Sequence, residues 1–520
     1  MDKPSSMPWS HPIPLSSLTV GVWAPVPGGR DLQLMLLTGA IVLAREGRPG
    51  ALNRRLPLLE TRVRDGRAQA MVPERENVEA LWEGLAFALR LQDHTSSVRA
   101  LVLWVQDGHP TAELLLRLAM QNAGVVALAA DAMHLSRAKR GPALAQIAMG
   151  PLELLLSLPP QADLPAPCAA GELSPFDARL HTAAEQGEAQ DLAALLAGAA
   201  LSGWNRADIE GALLGLCSDH FLDLGQGLIQ VSRVFDLLEC SRASPIQAAQ
   251  VLAGLGLQLA QAERWEAQPE WLPLRQRLDP LDLAALHRAS IKGAPAWFDR
   301  SGLLRALVET GPEHCFAEWL KAIQGGVPLP DLAEILALGA TERLLRADLR
   351  LDFDPGVPQG WMELAQVLTH AQALQDLVSR WHDARVVRLL LFGVWRVAEL
   401  CTLDGEPAGL EEPAQGDVSA LLHAAALRDS VRALAIGKQL NMPALRGAVM
   451  QLGLDGQTAL PLQSAHRTHA ALAALRLSEE LPDDQARRPL LGVLRYLSAP
   501  RQERRLVKDL AEAWAWGERE

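Results

Sequence analysis

Two histidines three residues apart, His466 and His469, stand in the run SAHRTHAALAAL. On a helix, positions i and i+3 share a face, so the two imidazoles could converge on one zinc or iron ion. Such an ion needs further ligands from other helices. His220, His370 and His134 are the imidazole candidates, and Asp223 or Glu363 could add the carboxylate of a two-His-one-carboxylate site. The candidate metal set is therefore His220, His370, His466 and His469. The competing account makes each an ordinary half-buried histidine that donates to a neighbouring group.

Other constellations point less far. His314 and Cys315 are adjacent, and adjacent side chains on a helix point apart, which argues against a nucleophile–base pair. Ser218-Asp219-His220 is contiguous and forms no triad for the same reason. Ser202 has Ala200 and Trp204 where a nucleophile elbow places glycines. The sequence has neither G-x-G-x-x-G before a helix nor G-x-x-x-x-G-K-[ST], so no nucleotide-binding residue can be named. Glu411-Glu412 and Glu479-Glu480 read as solvated surface or linker pairs. No catalytic residue can be assigned from spacing.

These residues need helices to position them. Phe176 to Cys240 reads as packed helices, with Asn205 as a cap and Ile209, Ala212, Leu213, Leu216 and Cys217 on one apolar stripe. His220 falls three turns after Ile209 on that stripe. After the Gly225-Gln226-Gly227 break, Leu228, Val231, Val234, Phe235 and Leu238 form the inner face of the next helix. Diluted copies recur: LHTAA from Leu180 matches LHAAA from Leu422, and Leu445, Ala448, Val449 and Leu452 play the parts of Ile209, Ala212, Leu213 and Leu216. The expected fold is mainly α, with four stacked, solenoid-like helical units over 79–157, 176–262, 300–380 and 417–485.

Ahead of these units, residues 1–78 read as a small α/β segment: a strand at 18–24, a helix at 31–45 and a hairpin turning at Asp65-Gly66. Units one to three fall in 79–403, and 417–520 holds the fourth unit and terminal helices, after the Pro/Gly-rich acidic linker 403–416. Pro151 is expected to interrupt the helix around 142–157, Ser244 to Ala267 to form one long helix, and Trp104, Trp319 and Trp361 to fill cores.

Composition narrows the partners. The net charge of −12 argues against nucleic acid. Five cysteines, an odd number without a C-x-x-C pair, argue against a disulfide framework or a zinc knuckle. Leu32 to Ala44 is apolar but, at about thirteen residues, too short to span a bilayer, and Val386 to Leu403 is broken by Arg388 and Arg396. A cytoplasmic protein, with no membrane partner, is expected, and its oligomeric state stays open.

HFLDLGQGLIQVSRVFDLLE, His220 to Glu239, resembles a motif, HFLDYGHxxIYxxKAFELL, of a bacterial helical-repeat family often fused to a Rieske ferredoxin domain. SAHRTHAALAAL and APRQERRL (Ala499 to Leu506) resemble that family's last unit, and the similarity covers about 79–510. The helical region is also distantly similar to questin-oxidase-like proteins, in which helix-borne histidines surround the site. The chain departs from the pattern at Gln226 in place of His, Leu224 and Gln230 in place of Tyr, and Arg233 in place of Lys. A Rieske cluster takes two Cys and two His, and Cys217-x-x-His220 is the only trace of that spacing.

Two functions follow. The first is a non-catalytic helical scaffold with a protein partner and no cofactor. The second, implied by the resemblance, is a metal-dependent oxidoreductase with a histidine-lined interior pocket holding iron or zinc.

Overall fold

A computed structural model describes residues 75–106, 108–137, 139, 142–168, 173–348, 361–405, 414–454 and 461–499. The expected N-terminal strand, helix and hairpin and most of the 403–416 linker lie outside those residues. Every regular element among the described residues is helical, and two isolated bridges, Leu222–Arg264 and Ala347–Asp404, are the only extended pairings there.

Contacts divide the chain into two compact units. The smaller holds the described residues up to Leu118 together with Ala132–Pro159, and the larger holds Ala119–Asp131 and the described residues from Pro160 on. The expected boundary at 403–417 thus falls inside the larger unit. The helices are α1 (Arg75–Arg90), α2 (His94–Gln106), α3 (Thr111–Ala119), α4 (Val126–Ser136) and α5 (Pro142–Ser157), with the division falling within α4. Pro151 does not break α5, contrary to expectation. A proline forfeits one helical hydrogen bond, and here Ile147, Ala148, Leu152 and Leu154 on either side of it stay buried, with α5 packed on α2.

In the larger unit follow α6 (Leu173–Gln186), α7 (Ala189–Leu201), α8 (Arg206–His220), α9 (Gln226–Ser241) and α10 (Pro245–Gln261). The chain continues through α11 (Leu272–Leu278), α12 (Leu283–Ser290), α13 (Arg300–Glu309), α14 (Pro312–Gly325), α15 (Leu329–Arg346), α16 (Trp361–Val378) and α17 (Val386–Glu399). Last come α18 (Val418–Ala426), α19 (Ser430–Gln439), α20 (Met442–Gly453), α21 (Pro461–Glu480) and α22 (Arg487–Ser498).

Small residues set how closely these helices approach. α7 and α10 meet through Ala193, Ala197, Ala249 and Ala253. A Cβ on Gly256 of α10 would stand 2.9 Å from the Ala193 backbone, so only glycine permits that approach. α10 begins with a capping box on Ser244 and Gln247 but ends at Gln261, short of the expected Ala267. The chain leaves the helix there because Glu263 and Arg264 pair with the turn after α8. Trp104 and Trp319 are fully buried, as core fillers should be.

Two helix pairs of the larger unit echo each other. Asn205 caps α8 and Asn441 caps α20, each accepting a backbone N–H at 2.9 Å from three residues ahead. Arg206 of α8 bonds Glu239 of α9, and Arg446 of α20 bonds Glu479 of α21, both across 33 residues of chain. Ile209, Ala212, Leu213 and Leu216 are buried, as are Leu445, Ala448, Val449 and Leu452.

Candidate functional site

α8 ends at His220, and the chain then turns sharply before α9. Phe221, Asp223, Leu224 and Gly225 take φ of 36°, 46°, 55° and 90°. Three of the four carry a Cβ, and each costs roughly 1 kcal/mol or more in the left-handed region. Tertiary bonds hold them there. The Asp223 N–H donates to the Glu263 carbonyl at 2.9 Å, and the Glu263 N–H returns a bond to Asp223 Oδ1 at 2.7 Å. Gln366 of α16 donates to the Asp223 carbonyl at 3.0 Å. Phe221 stacks on Phe392 of α17 at 4.3 Å between centroids and meets Trp271 at 5.1 Å.

His370 of α16 lies beneath this turn. Its ring meets the Phe221 edge at 5.8 Å, and it packs against the backbones of Gly225 and Gly393. Burial pushes its pKa down to about 4, so it is neutral at pH 7. Both of its ring nitrogens are buried beneath the strained turn.

His220 has other partners. Its Nδ1 lies 3.0 Å from Glu266 Oε1, and its Nε2 lies 3.9 Å from Glu185 Oε1. His220 Nε2 and Glu266 Oε2 are buried with no hydrogen-bond partner. The His181 ring of α6 is 6.5 Å away, flanked by Asp219 at 3.6 Å and Asp177 at 3.8 Å. Asp219 in turn holds Arg388 of α17 at 3.2 Å. A carboxylate on Nδ1 fixes the tautomer that leaves Nε2 as the acceptor, which suits a base or a metal ligand. Here each imidazole faces its own carboxylates. Among the described residues, no group of three or more His, Cys, Asp or Glu side chains is placed to hold a metal ion.

His466 and His469 do share a face of α21, with rings 6.4 Å apart. His469 spends its Nδ1 on Asp131 Oδ2 at 2.5 Å. Asp131 is 1% exposed and lies on the part of α4 that belongs to the larger unit; its Oδ1 is 3.1 Å from Arg233 Nε. Arg233 of α9 also bonds Gln372 and meets Asp236 at 3.3 Å and Asp376 at 3.6 Å, while Arg476 of α21 reaches Asp376 at 3.4 Å. Burial alone would raise the Asp131 pKa, but Arg233, His469 and Arg476 together hold it below the usual carboxylate range. Burial, reinforced by His469, pushes His466 down to about 4.

The four candidate histidines therefore fall into two centres. His220 and His370 belong to the strained turn but have different partners, and His466 and His469 belong to the Arg233 hub. His134 is on the part of α4 assigned to the smaller unit, Asp223 binds the Glu263 backbone, and Glu363 stands in the first turn of α16. Sequence reading missed Glu266, His181, Asp131 and the hub role of Arg233. One signal was present: Arg233 sits among Val231, Ser232, Val234 and Phe235, all buried, so its charge needs partners.

Compared with known proteins, the chain matches no family model, no curated protein and no solved structure.

Proposed function

We propose that this chain is a non-catalytic helical scaffold that presents its surface to a protein partner. The observation that carries this reading is the Arg233 hub. Its charged groups come from α4, α9, α16 and α21, and they are spent on one another inside the larger unit. Buried charge arranged this way fixes which helices pack together. The echoed caps and Arg–Glu bonds of α8–α9 and α20–α21 support a repeated helical architecture, as a scaffold would use.

A second reading, the metal-dependent oxidoreductase, is favoured by the His220–Glu266 pair beside His181 and the strained turn that carries it. His220 and His181 would hold iron or zinc, and Glu266 would orient the His220 ring. The ion would supply Lewis-acid or redox chemistry when bound.

Elemental analysis of protein purified without a His tag separates the two. Near-stoichiometric iron, zinc or manganese that disappears in a His181→Ala/His220→Ala variant overturns the scaffold reading. Metal at background after reconstitution, with a partner retained in stoichiometric amount through gel filtration, is the result expected.

A further inference from the structure

The left-handed turn after α8, residues 221–225, and the segment between α10 and α11 hold each other in place. That segment, residues 262–271, contains two short 3-10 turns, Trp265–Ala267 and Pro269–Trp271. It lies along the turn as a strap: Arg264 bridges to Leu222, and Glu263 and Asp223 exchange two hydrogen bonds. Glu266 of the strap reaches His220, and the Arg264 guanidinium donates to the Ala184 carbonyl at 2.6 Å. From α16, Gln366 donates to the Asp223 carbonyl at 3.0 Å and to the Leu224 carbonyl at 3.3 Å.

Two features set this pair apart from the helices around it. Its bonds are mostly polar, and Glu263, Ala267, Pro269 and Glu270 of the strap are exposed, so few buried apolar groups anchor it. Those that do are Phe221, Leu222 and Trp271. Second, Phe221, Asp223 and Leu224 are held at φ of 36°, 46° and 55°. Strain of this kind persists only while its surroundings over-determine it. Lifting the strap removes what holds the turn, and relaxing the turn removes what the strap pairs with.

We propose that the 262–271 strap and the 221–225 turn form a gate that opens as one unit while the helices carrying it stay folded. Opening separates Glu266 from His220 and takes the Phe221 ring off Phe392, on which it stacks when closed. It also moves Gly225 off the His370 ring, which is 4% exposed in the closed gate. The gate therefore controls solvent access to His370 and the pairing of His220. Low-stability elements of this sort open locally at a fraction of the cost of global unfolding. The gate goes beyond the scaffold reading, and its test needs no partner.

The test is native-state hydrogen exchange of the whole chain, read at single amides. The Asp223 and Glu263 N–H groups, 40 residues apart, should show one shared protection factor. It should lie about a hundredfold or more below those of Leu213 in α8 and Val234 in α9. Perturbing one side should then be felt on the other. Glu266→Ala, on the strap, should lower protection at Asp223 about tenfold, and Gln366→Ala, beside the turn, should lower it at Glu263 about fivefold. Leu213 and Val234 should not change in either variant. In Glu266→Ala, diethyl pyrocarbonate should also modify His370 about tenfold faster, as mapped by peptide. Unequal protection at Asp223 and Glu263, or protection as strong as at Leu213, overturns the gate. So does a variant that leaves the amide across the pair unchanged or weakens Leu213 and Val234 equally. An unchanged His370 rate overturns the control of access to that ring.

Discussion

His370 Nδ1 occupies the space that a side chain at position 225 would need: a Cβ there would stand 2.4 Å from it. A histidine of α16 and a glycine at the start of α9, 145 residues apart in the sequence, are fitted to each other. The left-handed turn carrying His220 depends on that fit.

Gly225→Ala should therefore destabilise the chain by about 3 kcal/mol, from a Cβ at positive φ and from overpacking against the imidazole. His370→Ala alone also destabilises, by opening a cavity. In the double variant the clash disappears and the backbone strain remains, so the two effects should not add. Urea titrations of all four proteins check this, and simple additivity would refute the fit.

Arg233→Met leaves Asp131, Asp236 and Asp376 without their shared cation. Removing one partner of a buried charge cluster costs about 3–5 kcal/mol. Adding Asp131→Asn should recover part of that loss, because the most deeply buried carboxylate is then neutral. If Arg233→Met unfolds at the same urea concentration as the parent, the hub does not hold the helices.

Stability should fall on mild acidification. His370 and His466 are held near pKa 4 in the fold, against an ordinary value of 6.5. Between those values the unfolded chain binds protons that the folded chain refuses, so stability is full above about pH 6.5 and is lost as pH falls towards 4. For His370, 4% exposed, the loss amounts to about 3 kcal/mol. A His370→Gln variant should show a shallower decline across this window; an unchanged slope would mean the ring is not neutral when buried.

The five cysteines should divide by access. Burial pushes the Cys217 thiol up and the Cys315 thiol up to about 12, so neither offers thiolate at neutral pH. Cys168, Cys240 and Cys401 are half-buried. A thiol reagent should modify up to these three in the native protein and reach Cys217 and Cys315 only on unfolding. Peptide mapping identifies which sites react, and early modification of Cys217 would show that α8 opens readily.

Much of the local architecture was legible. The Asn205 cap, the Ile209-to-Leu216 stripe and the break before α9 depend on neighbours within a few residues, and helical period exposes them. Pro151 and the end of α10 were misread because distant partners overrode local signals: packing on α2 carries α5 through its proline, and the His220 turn draws Glu263 and Arg264 out of α10. For the site, the spacing of His466 and His469 correctly put them on one face. It could not show that Asp131, 338 residues away, takes His469.

The sequence by itself determined that the described residues from 75 on are mainly helical, since apolar period, caps and breakers act over one or two turns. It also determined that no helix among the described residues is long and apolar enough to cross a membrane. Only the tertiary structure decided which charges meet. His220 with Glu266, Arg233 with Asp131 and Asp376, and His370 under Gly225 are pairings between helices, set by packing at distances the one-dimensional pattern does not encode.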